Sequence, residues 1–424
     1  MSQQKKQWGA IIVMIALFAM IAFVTNLCSP MATIIKNQGD ISNVLAQIGN
    51  YGNFIAYLVM GIPAGMLISK YGYKKTALIG LFIGAVGILI QWFSGQLDNG
   101  NNLGVVFGVY LVGAFICGFT MCILNTVVNP MLNLLGGGGN KGNQLIQIGG
   151  VFNSAAAVAV YIIMGALIGD AAKAKIADAT PALMIALAIF VIAFIVILFT
   201  KIEEPEQAPV DLSLIKGAMQ YRHFVLGVVA IFLYMGLEVG TPTYILQYLT
   251  SEQGGSMSAS IVGLIVAVYW LLMLVGRFVG GSIGAKVSSR TQITVVASVA
   301  LILVLFGMFA PQDVTVSVPG IDWANLSVIW TEVPIGIFAF ILVGLCTSVM
   351  WGGIFNMAVE GLGKYTAIAS GIFMTMVFGC AVMVALQGWL ADITDYLTSY
   401  WVVVACAAYI LFYALIGSRV SKAE

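Results

Sequence analysis

Eight side-chain amides lie within long apolar stretches of the first half of the chain, where they are the main groups able to do chemistry. They are Asn26, Gln47, Asn50, Asn53, Asn125, Asn129, Gln147 and Asn153. An amide offers one acceptor and two donors on a planar group, which matches the neighbouring hydroxyls of a neutral polyol. The alternative for any single amide is a hydrogen bond between helices. We expect a substrate-binding role for Asn26, Gln47, Asn50, Asn125 and Gln147.

Aromatic side chains dominate the matching stretches of the second half. They include Tyr234, Tyr244, Tyr248, Tyr269, Trp270, Trp351 and Phe355. A sugar ring has an apolar C–H face that packs on an indole or a phenol, as in other largely apolar ligand sites. Ordinary packing is the alternative. We expect Tyr244, Trp270, Trp351 and Asn356 to complete the substrate site.

Glu238 is a carboxylate in the middle of an apolar stretch. Gly236, Gly240 and Pro242 surround it, so the sequence predicts a broken or bent helix there. Discontinuous helices commonly form ligand or ion sites in transporters. Three roles stay open for Glu238: a proton carrier, a sodium ligand together with freed backbone carbonyls, or a hydrogen-bond anchor. We take Glu238 as the candidate for ion coupling, with the hydrogen-bond anchor as the alternative.

Two further charged residues are candidates for gating. Arg277 lies off-centre in its apolar stretch, where it can reach toward the membrane surface or pair across an interface. Glu360 stands at the end of another stretch. We assign both to gating, with a purely structural use of Arg277 as the alternative.

Composition requires a membrane protein. Of the 424 residues, 61% are hydrophobic and 8% are charged, and the mean hydropathy is +1.02. A soluble domain has about a quarter of its residues charged. The net charge of +1 gives no case for nucleic acid. One histidine and six cysteines without paired spacing favour neither a metal nor another cofactor, so a co-transported proton or sodium ion is the only candidate.

Twelve apolar runs are long enough to cross a bilayer, which needs about 20 residues per helix. They span 9–35, 44–68, 76–94, 104–135, 144–169, 181–200, 223–250, 259–284, 292–309, 334–360, 366–390 and 400–416. With the N-terminus inside, fourteen of the eighteen lysines and arginines are cytoplasmic and three are external. The positive-inside rule then predicts that both termini are cytoplasmic, and we expect a bacterial inner membrane.

The chain reads as two halves joined by a linker. Residues 201–222 form the only long charged cytoplasmic stretch, which predicts six-helix units at 1–200 and 223–424. Two similar glycine-then-basic segments, starting at Gly65 and Gly281, lie 216 residues apart. We therefore predict an all-α membrane protein of twelve transmembrane helices in two six-helix bundles. The external segment 310–333 is long enough for a small hairpin.

These motifs carry a family resemblance. The segment from Gly65 to Lys75 resembles the loop signature G-x-x-x-D-R-x-G-R-K of the major facilitator superfamily, with Ser69 in place of the aspartate. Further segments resemble its fucose and glucose/galactose permease branch. They are Asn129-Pro130, Phe152-Asn153-Ser154, Tyr234 to Gly240, Gly276-Arg277-Phe278 and Gly361 to Thr366. The resemblance implies the major facilitator fold and monosaccharide transport by alternating access, and we expect a monomer whose partners are the sugar and the bilayer.

Two departures concern coupling. Asn26 and Asn125 stand where proton-coupled members of this branch carry acids. Because amides cannot change charge, either Glu238 couples a proton or sodium ion, or transport is facilitated. The alternative function is transport of another solute by the same fold: a nucleoside, a drug or an organic anion. An intramembrane enzyme would need a cluster of reactive side chains, which the sequence lacks.

Overall fold

The computed structural model describes residues 7–39, 42, 45, 47–136, 139–168, 174–204, 213–283, 287–322, 327–362 and 365–420. Within these residues, eleven helices are long and apolar enough to cross a membrane. A pair of shorter helices, bent by 40°, passes the same test together. The predicted number of twelve spans is thereby confirmed, and we number them in chain order.

Spans 1 to 6 occupy the first half. Their helices are Trp8–Asn26 with Cys28–Gly39 (span 1), Ile48–Gln96 (spans 2 and 3), Leu103–Leu135 (span 4), Gly139–Ile168 (span 5) and Thr180–Phe199 (span 6). A 3₁₀ turn, Ile176–Ala179, precedes span 6, and a short helix, Leu214–Ala218, follows it. We call the end of the bundle at which span 1 begins the near end, and the opposite end the far end.

Spans 7 to 12 occupy the second half. Span 7 comprises Arg222–Met235, a π-helix Gly236–Gly240, and Thr241–Thr250. The others are Ala259–Ile283 (span 8), Ser289–Phe309 (span 9), Ile335–Thr347 with Met350–Val359 (span 10), Thr366–Thr375, Met376–Phe378 and Gly379–Ile393 (span 11), and Thr398–Tyr400, Trp401–Phe412 and Tyr413–Gly417 (span 12). A 3₁₀ turn, Glu252–Gly254, follows span 7.

Small residues let the spans approach closely. A Cβ atom on Gly118 of span 4 would lie 2.2 Å from the carbonyl oxygen of Asn53 in span 2. A Cβ atom on Gly344 of span 10 would lie 2.3 Å from the carbonyl oxygen of Tyr269 in span 8. Glycine at such crossings permits the close packing that holds membrane helices together. Contacts between the halves run mainly from span 5 to span 8 and from span 2 to span 11.

The far end carries a β-hairpin. Strand β1, Thr315–Asp322, pairs antiparallel with strand β2, Ser327–Pro334, so that Thr315 lies opposite Pro334. The hairpin packs on span 8, where a Cβ on Gly320 would lie 3.1 Å from the side chain of Ile261. The structure confirms the hairpin predicted for residues 310–333. Its second strand ends at Pro334, one residue beyond that segment.

A carboxylate from the segment after span 6 organises the near-end turn between spans 2 and 3. Gly72 has a φ of 77°, in the left-handed region that favours glycine. The Glu204 side chain accepts hydrogen bonds from the backbone amides of Tyr73 at 2.7 Å and Lys74 at 2.9 Å. It therefore satisfies orphan donors at the start of span 3. The sequence predicted no carboxylate here because Ser69 replaces the family aspartate; Glu204 supplies one.

We predict that Gly72→Ala destabilises the protein more than Gly100→Ala does. Both glycines have positive φ, a conformation that costs an alanine roughly 1–2 kcal/mol. At Gly72 the new Cβ would also lie 2.1 Å from the Glu204 carboxylate, whereas nothing lies within 4 Å at Gly100. Thermal unfolding in detergent measures both variants. An equal fall in Tm would show that the Glu204 contact contributes nothing.

Candidate functional site

The break in span 7 is the local feature that places Glu238. The π-helix Gly236–Gly240 interrupts the regular helix there, which confirms the predicted discontinuity. A Cβ on Gly236 would lie 2.4 Å from Met383 of span 11, so that only glycine admits this packing. The Tyr269 hydroxyl of span 8 donates to the Glu238 carbonyl at 3.0 Å. Two neighbouring spans thus hold the bulge that carries the carboxylate.

A cavity with about 780 Å³ of atom-free space, part of it open to solvent, lies between the two halves. Its polar lining consists of Thr25, Asn26, Tyr57, Asn125, Asn129, Asn153, Glu238, Trp270 and Arg277. Its apolar lining consists of Phe18, Ile21, Ala22, Phe54, Met235, Val239, Trp351 and Val377. Eight of the twelve spans contribute.

Amides of the first half present acceptor atoms to this cavity. Asn26 donates its Nδ2 to the carbonyl of Ala22 at 2.8 Å, and Asn125 donates to the Tyr57 hydroxyl at 2.9 Å. The Oδ1 atoms of Asn26 and Asn125 accept no hydrogen bond from any described residue. The internal bonds therefore orient the two amides and leave their carbonyl oxygens for a ligand or water.

Two other residues of the cavity lining carry unpaired polar atoms. Among the described residues, Trp270 Nε1 and Thr25 Oγ1 are buried without a hydrogen-bond partner. Buried polar atoms in native proteins are nearly always paired, so two unpaired atoms in one cavity are a sign of a ligand or water position. The indole of Trp351 is held against the ring of Phe373 at 5.7 Å, edge to face. The cavity thus combines free acceptors, free donors and a fixed aromatic surface.

Arg277 joins the two halves at the cavity. Its Nη1 donates to the Gly150 carbonyl at 2.8 Å and to Asn153 Oδ1 and Ser154 Oγ, each at 3.1 Å, all in span 5. Its Nη2 lies 3.8 Å from Glu238 Oε1 in span 7. Both charged side chains are only 11–12% exposed. Glu238 is therefore no lone carboxylate, since the guanidinium that the sequence analysis placed off-centre is its counter-ion.

Contacts between the halves lie on both sides of the cavity. Toward the far end, the Lys36 ammonium of span 1 donates to the Tyr396 hydroxyl, which follows span 11. Toward the near end, Gln147 of span 5 lies against Gly281 of span 8 and Gly352 of span 10. A solute passing through the cavity would have to separate one set of contacts at a time.

The structure brings only part of the predicted site together. Asn26, Asn125, Trp270, Trp351, Glu238 and Arg277 line one cavity, whereas Gln47, Gln147, Tyr244, Asn356 and Glu360 do not. Asn50 belongs to a described helix, but its side chain lies outside the described ones. The binding and gating roles of all these residues stay predictions. The expectation that all of the binding residues line one cavity is wrong.

Helix geometry explains the corrections. Gln147 precedes Asn153 by six residues, which places it about 9 Å nearer the near end. Asn356 follows Trp351 by five residues, which turns it off the cavity-facing side, and it is exposed. Glu360 is exposed as well. Tyr244 is buried and donates to the Val384 carbonyl at 3.0 Å, and Gln47 is buried at the start of span 2.

Sequence reasoning did not assign Thr25, Tyr57, Asn129 or Asn153 to the site. Two of these were among the eight amides, so that the polar character of the apolar stretches was the available signal. The ion pair between Glu238 and Arg277 was also missed. It had a signal, because an embedded acid and an embedded base in consecutive spans usually pair.

A cavity enclosed by two six-span halves, lined with polar groups from both, defines a membrane transporter. The family model of the Major Facilitator Superfamily matches residues 11–378, and the chain belongs to this family. The family and its relatives are transporters rather than enzymes, as the sequence predicted.

The relatives lie in the predicted branch. A glucose/galactose transporter of Brucella abortus is 28% identical over 99% of this chain and 96% of its own. An L-fucose–proton symporter of Escherichia coli is 22% identical over 95% of this chain and 92% of its own. A crystal structure of the E. coli fucose:proton symporter FucP matches with a TM-score of 0.71 at 20% identity, covering 98% of this chain and all of that one. The nucleoside transporter NupG matches with a TM-score of 0.64 at 14% identity, covering 96% of this chain and 99% of that one.

We predict that Glu238→Gln and Arg277→Gln each lower the apparent Tm in detergent, and that the double variant loses less than the sum of the two. Removing one partner of a buried ion pair leaves an uncompensated charge, which costs about 3–5 kcal/mol. Removing both avoids that state, so the coupling free energy should be about 0.5–3 kcal/mol.

Arg290→Gln is the matched control. Arg290 of span 9 donates to the carbonyl of Ala414 at 2.8 Å, far from Glu238 along the bundle. Its combination with Glu238→Gln should be additive. If the losses of stability caused by Glu238→Gln and Arg277→Gln also add up in the double variant, the 3.8 Å contact between the two side chains contributes no stability.

Proposed function

We propose that this chain transports a monosaccharide, of the hexose or fucose kind, by alternating access. One observation carries the proposal: a single cavity is lined by Asn26 and Asn125, whose side-chain oxygens accept no hydrogen bond from a described residue, and by Trp270 and Thr25, whose polar side-chain atoms have no described partner. A sugar hydroxyl both donates and accepts, so a polyol satisfies both sets at once. Relatives that align over 95–99% of the chain are named as glucose/galactose and fucose transporters.

The charge distribution in the cavity favours a neutral solute over an anion. Arg277 is the cation in the lining, and it already has three oxygen partners and the Glu238 carboxylate. An anionic substrate would have to displace these contacts. The indoles of Trp270 and Trp351 fit the apolar face of a pyranose ring. The likeness to a nucleoside transporter concerns the fold alone.

The orientation follows from the positive-inside rule. Among the described residues, nine lysines and arginines lie at the near end and two, Lys36 and Lys175, lie at the far end. In this proposal the near end and both termini face the cytoplasm of a bacterial cell, and the far end faces outward. The protein works as a monomer in the inner membrane, since each chain encloses a complete cavity.

Glu238 is the proposed coupling group. Asn26 and Asn125 cannot exchange protons, whereas Glu238 can, and its carboxylate faces Arg277, Tyr234, Tyr269 and Cys380. A proton is favoured over sodium because the guanidinium already occupies the counter-ion position at 3.8 Å. Protonation of Glu238 would leave Arg277 without a counter-charge. The contacts by which Arg277 of span 8 joins spans 5 and 7 would then weaken. Proton binding would thereby change the strength of the contact between the two halves.

We predict that the purified protein in proteoliposomes exchanges at least one of glucose, galactose and fucose in counterflow. Asn125→Ala should raise the KM about fivefold, the loss expected for one hydrogen bond. Asn356→Ala is the matched control, because Asn356 is exposed outside the cavity, and its KM should stay unchanged. Exchange of uridine but no sugar would contradict the proposed substrate, and an equal effect of both variants would contradict the proposed site.

We predict that an inward-directed proton gradient drives sugar accumulation in the wild type but not in Glu238→Gln. The variant should retain counterflow, which needs no net ion movement. Glu360→Gln, which changes an exposed carboxylate at the near end, should behave as the wild type. Accumulation that follows a sodium gradient, or that persists in Glu238→Gln, would contradict proton coupling at this residue.

A further inference from the structure

On the far-end side of the cavity, three spans carry buried polar atoms that have no partner among the described residues. Gln247 of span 7 is 2% exposed, and neither its Oε1 nor its Nε2 is hydrogen-bonded to a described residue. Gln387 of span 11 is 1% exposed, with an unpaired Nε2. The Tyr51 hydroxyl of span 2 also has no partner among the described residues. Since buried polar groups are nearly always paired, several unpaired ones in one region require an explanation.

The first two groups belong to one contact between spans 7 and 11. Gly240, Tyr244 and Gln247 are spaced i, i+4 and i+7, so they share a face of span 7. A Cβ on Gly240 would lie 2.5 Å from Gln387 Oε1, and the Tyr244 hydroxyl donates to the Val384 carbonyl of span 11 at 3.0 Å. This face therefore points at span 11, with Gln247 one turn nearer the far end.

Both segments also meet the first half of the molecule. The helix Thr241–Thr250 contacts the helix Cys28–Gly39 of span 1, and span 11 contacts span 2. The hydroxyls of Tyr244 and Tyr51 lie within electrostatic range of each other and of Asp392. The unpaired groups thus belong to helices that meet across the two halves at the far end.

A polar contact closes the outer rim of this seal, and the unpaired atoms behind it are buried from solvent. At the rim, the Lys36 ammonium donates to the Tyr396 hydroxyl. Alternating access requires the seal to separate. Separation would expose Gln247, Gln387 and Tyr51 to bulk water, which can hydrogen-bond to each of them.

We propose that Gln247, Gln387 and Tyr51 form a polar outer gate whose unpaired groups destabilise the closed far end and so drive its opening. In the closed state, the halves bury amide and hydroxyl groups that have no hydrogen-bond partner among the described residues. In the open state, water satisfies them. The proposal rests on the proposed alternating-access transport, but it does not depend on which solute is carried.

Double electron–electron resonance in nanodiscs, without sugar, measures the far-end opening directly. Spin labels are attached to cysteines replacing Asn101 and Asp313, which are exposed in far-end loops of the two halves. All six native cysteines are buried, and the protein without the two introduced cysteines is labelled in parallel to measure any background. A Lys36→Ala background removes the rim contact and raises the open population, so that shifts in both directions are resolved.

Gln247→Leu should raise the ratio of closed to open populations at least about fivefold, because an apolar side chain of similar size loses nothing on burial. Gln387→Leu should act in the same direction, and Tyr51→Phe less, because it removes a single hydroxyl. The three variants are independent, so misfolding of one leaves the other two as tests.

Gln91→Leu is the matched control. Gln91 is a buried glutamine that packs against Gly113 within the first half, away from the interface. It should leave the distance distribution unchanged. Unchanged or more open distributions in the gate variants, or an equal shift in the control, would overturn the proposal. Because no sugar is present, that result is distinct from a failure of the sugar panel.

Discussion

A polar side chain in a bilayer must find its partner within the protein or in a water-filled cavity, and this constraint determines where the embedded polar groups of this chain lie. Asn26, Asn125 and Trp270 come from three spans in two halves, yet all face one cavity. Their positions are fixed by internal hydrogen bonds and by aromatic packing. The atoms left over are the ones that a polyol can satisfy.

The same constraint explains the connection between the halves. A guanidinium at this depth is tolerated only with a full set of partners, and Arg277 finds them in span 5 and in Glu238 of span 7. The charge therefore belongs to both halves at once. A transporter that rocks one half against the other must exchange these partners during each cycle, which places the ion pair on the path of the conformational change.

Much of the fold could be predicted from the sequence because span length, lysine and arginine bias and glycine–proline breaks are local signals. They indicated twelve spans, the hairpin and the discontinuity at Glu238. The site was predicted less completely, because composition shows that a residue is embedded but not which way it faces. Whether Gln147 or Asn356 reaches the cavity is decided by the rotation and depth of its helix, as the exposed side chain of Asn356 illustrates.

Long-range pairings were the least predictable part. Glu204 stabilises a turn 131 positions earlier in the chain, and nothing near Tyr73 in the sequence indicates it. The partners of Arg277 in span 5 are likewise 123 to 127 positions away. Such contacts depend on the packing of whole helices, which no local pattern encodes.

The most direct test of the central claim is an experimental structure of the protein with a bound monosaccharide. The account predicts that the sugar lies between the halves, with hydroxyls about 2.7–3.2 Å from Trp270 Nε1 and from the Oδ1 atoms of Asn26 or Asn125. A sugar bound elsewhere, with these atoms paired to one another or to neighbouring helices, would contradict it.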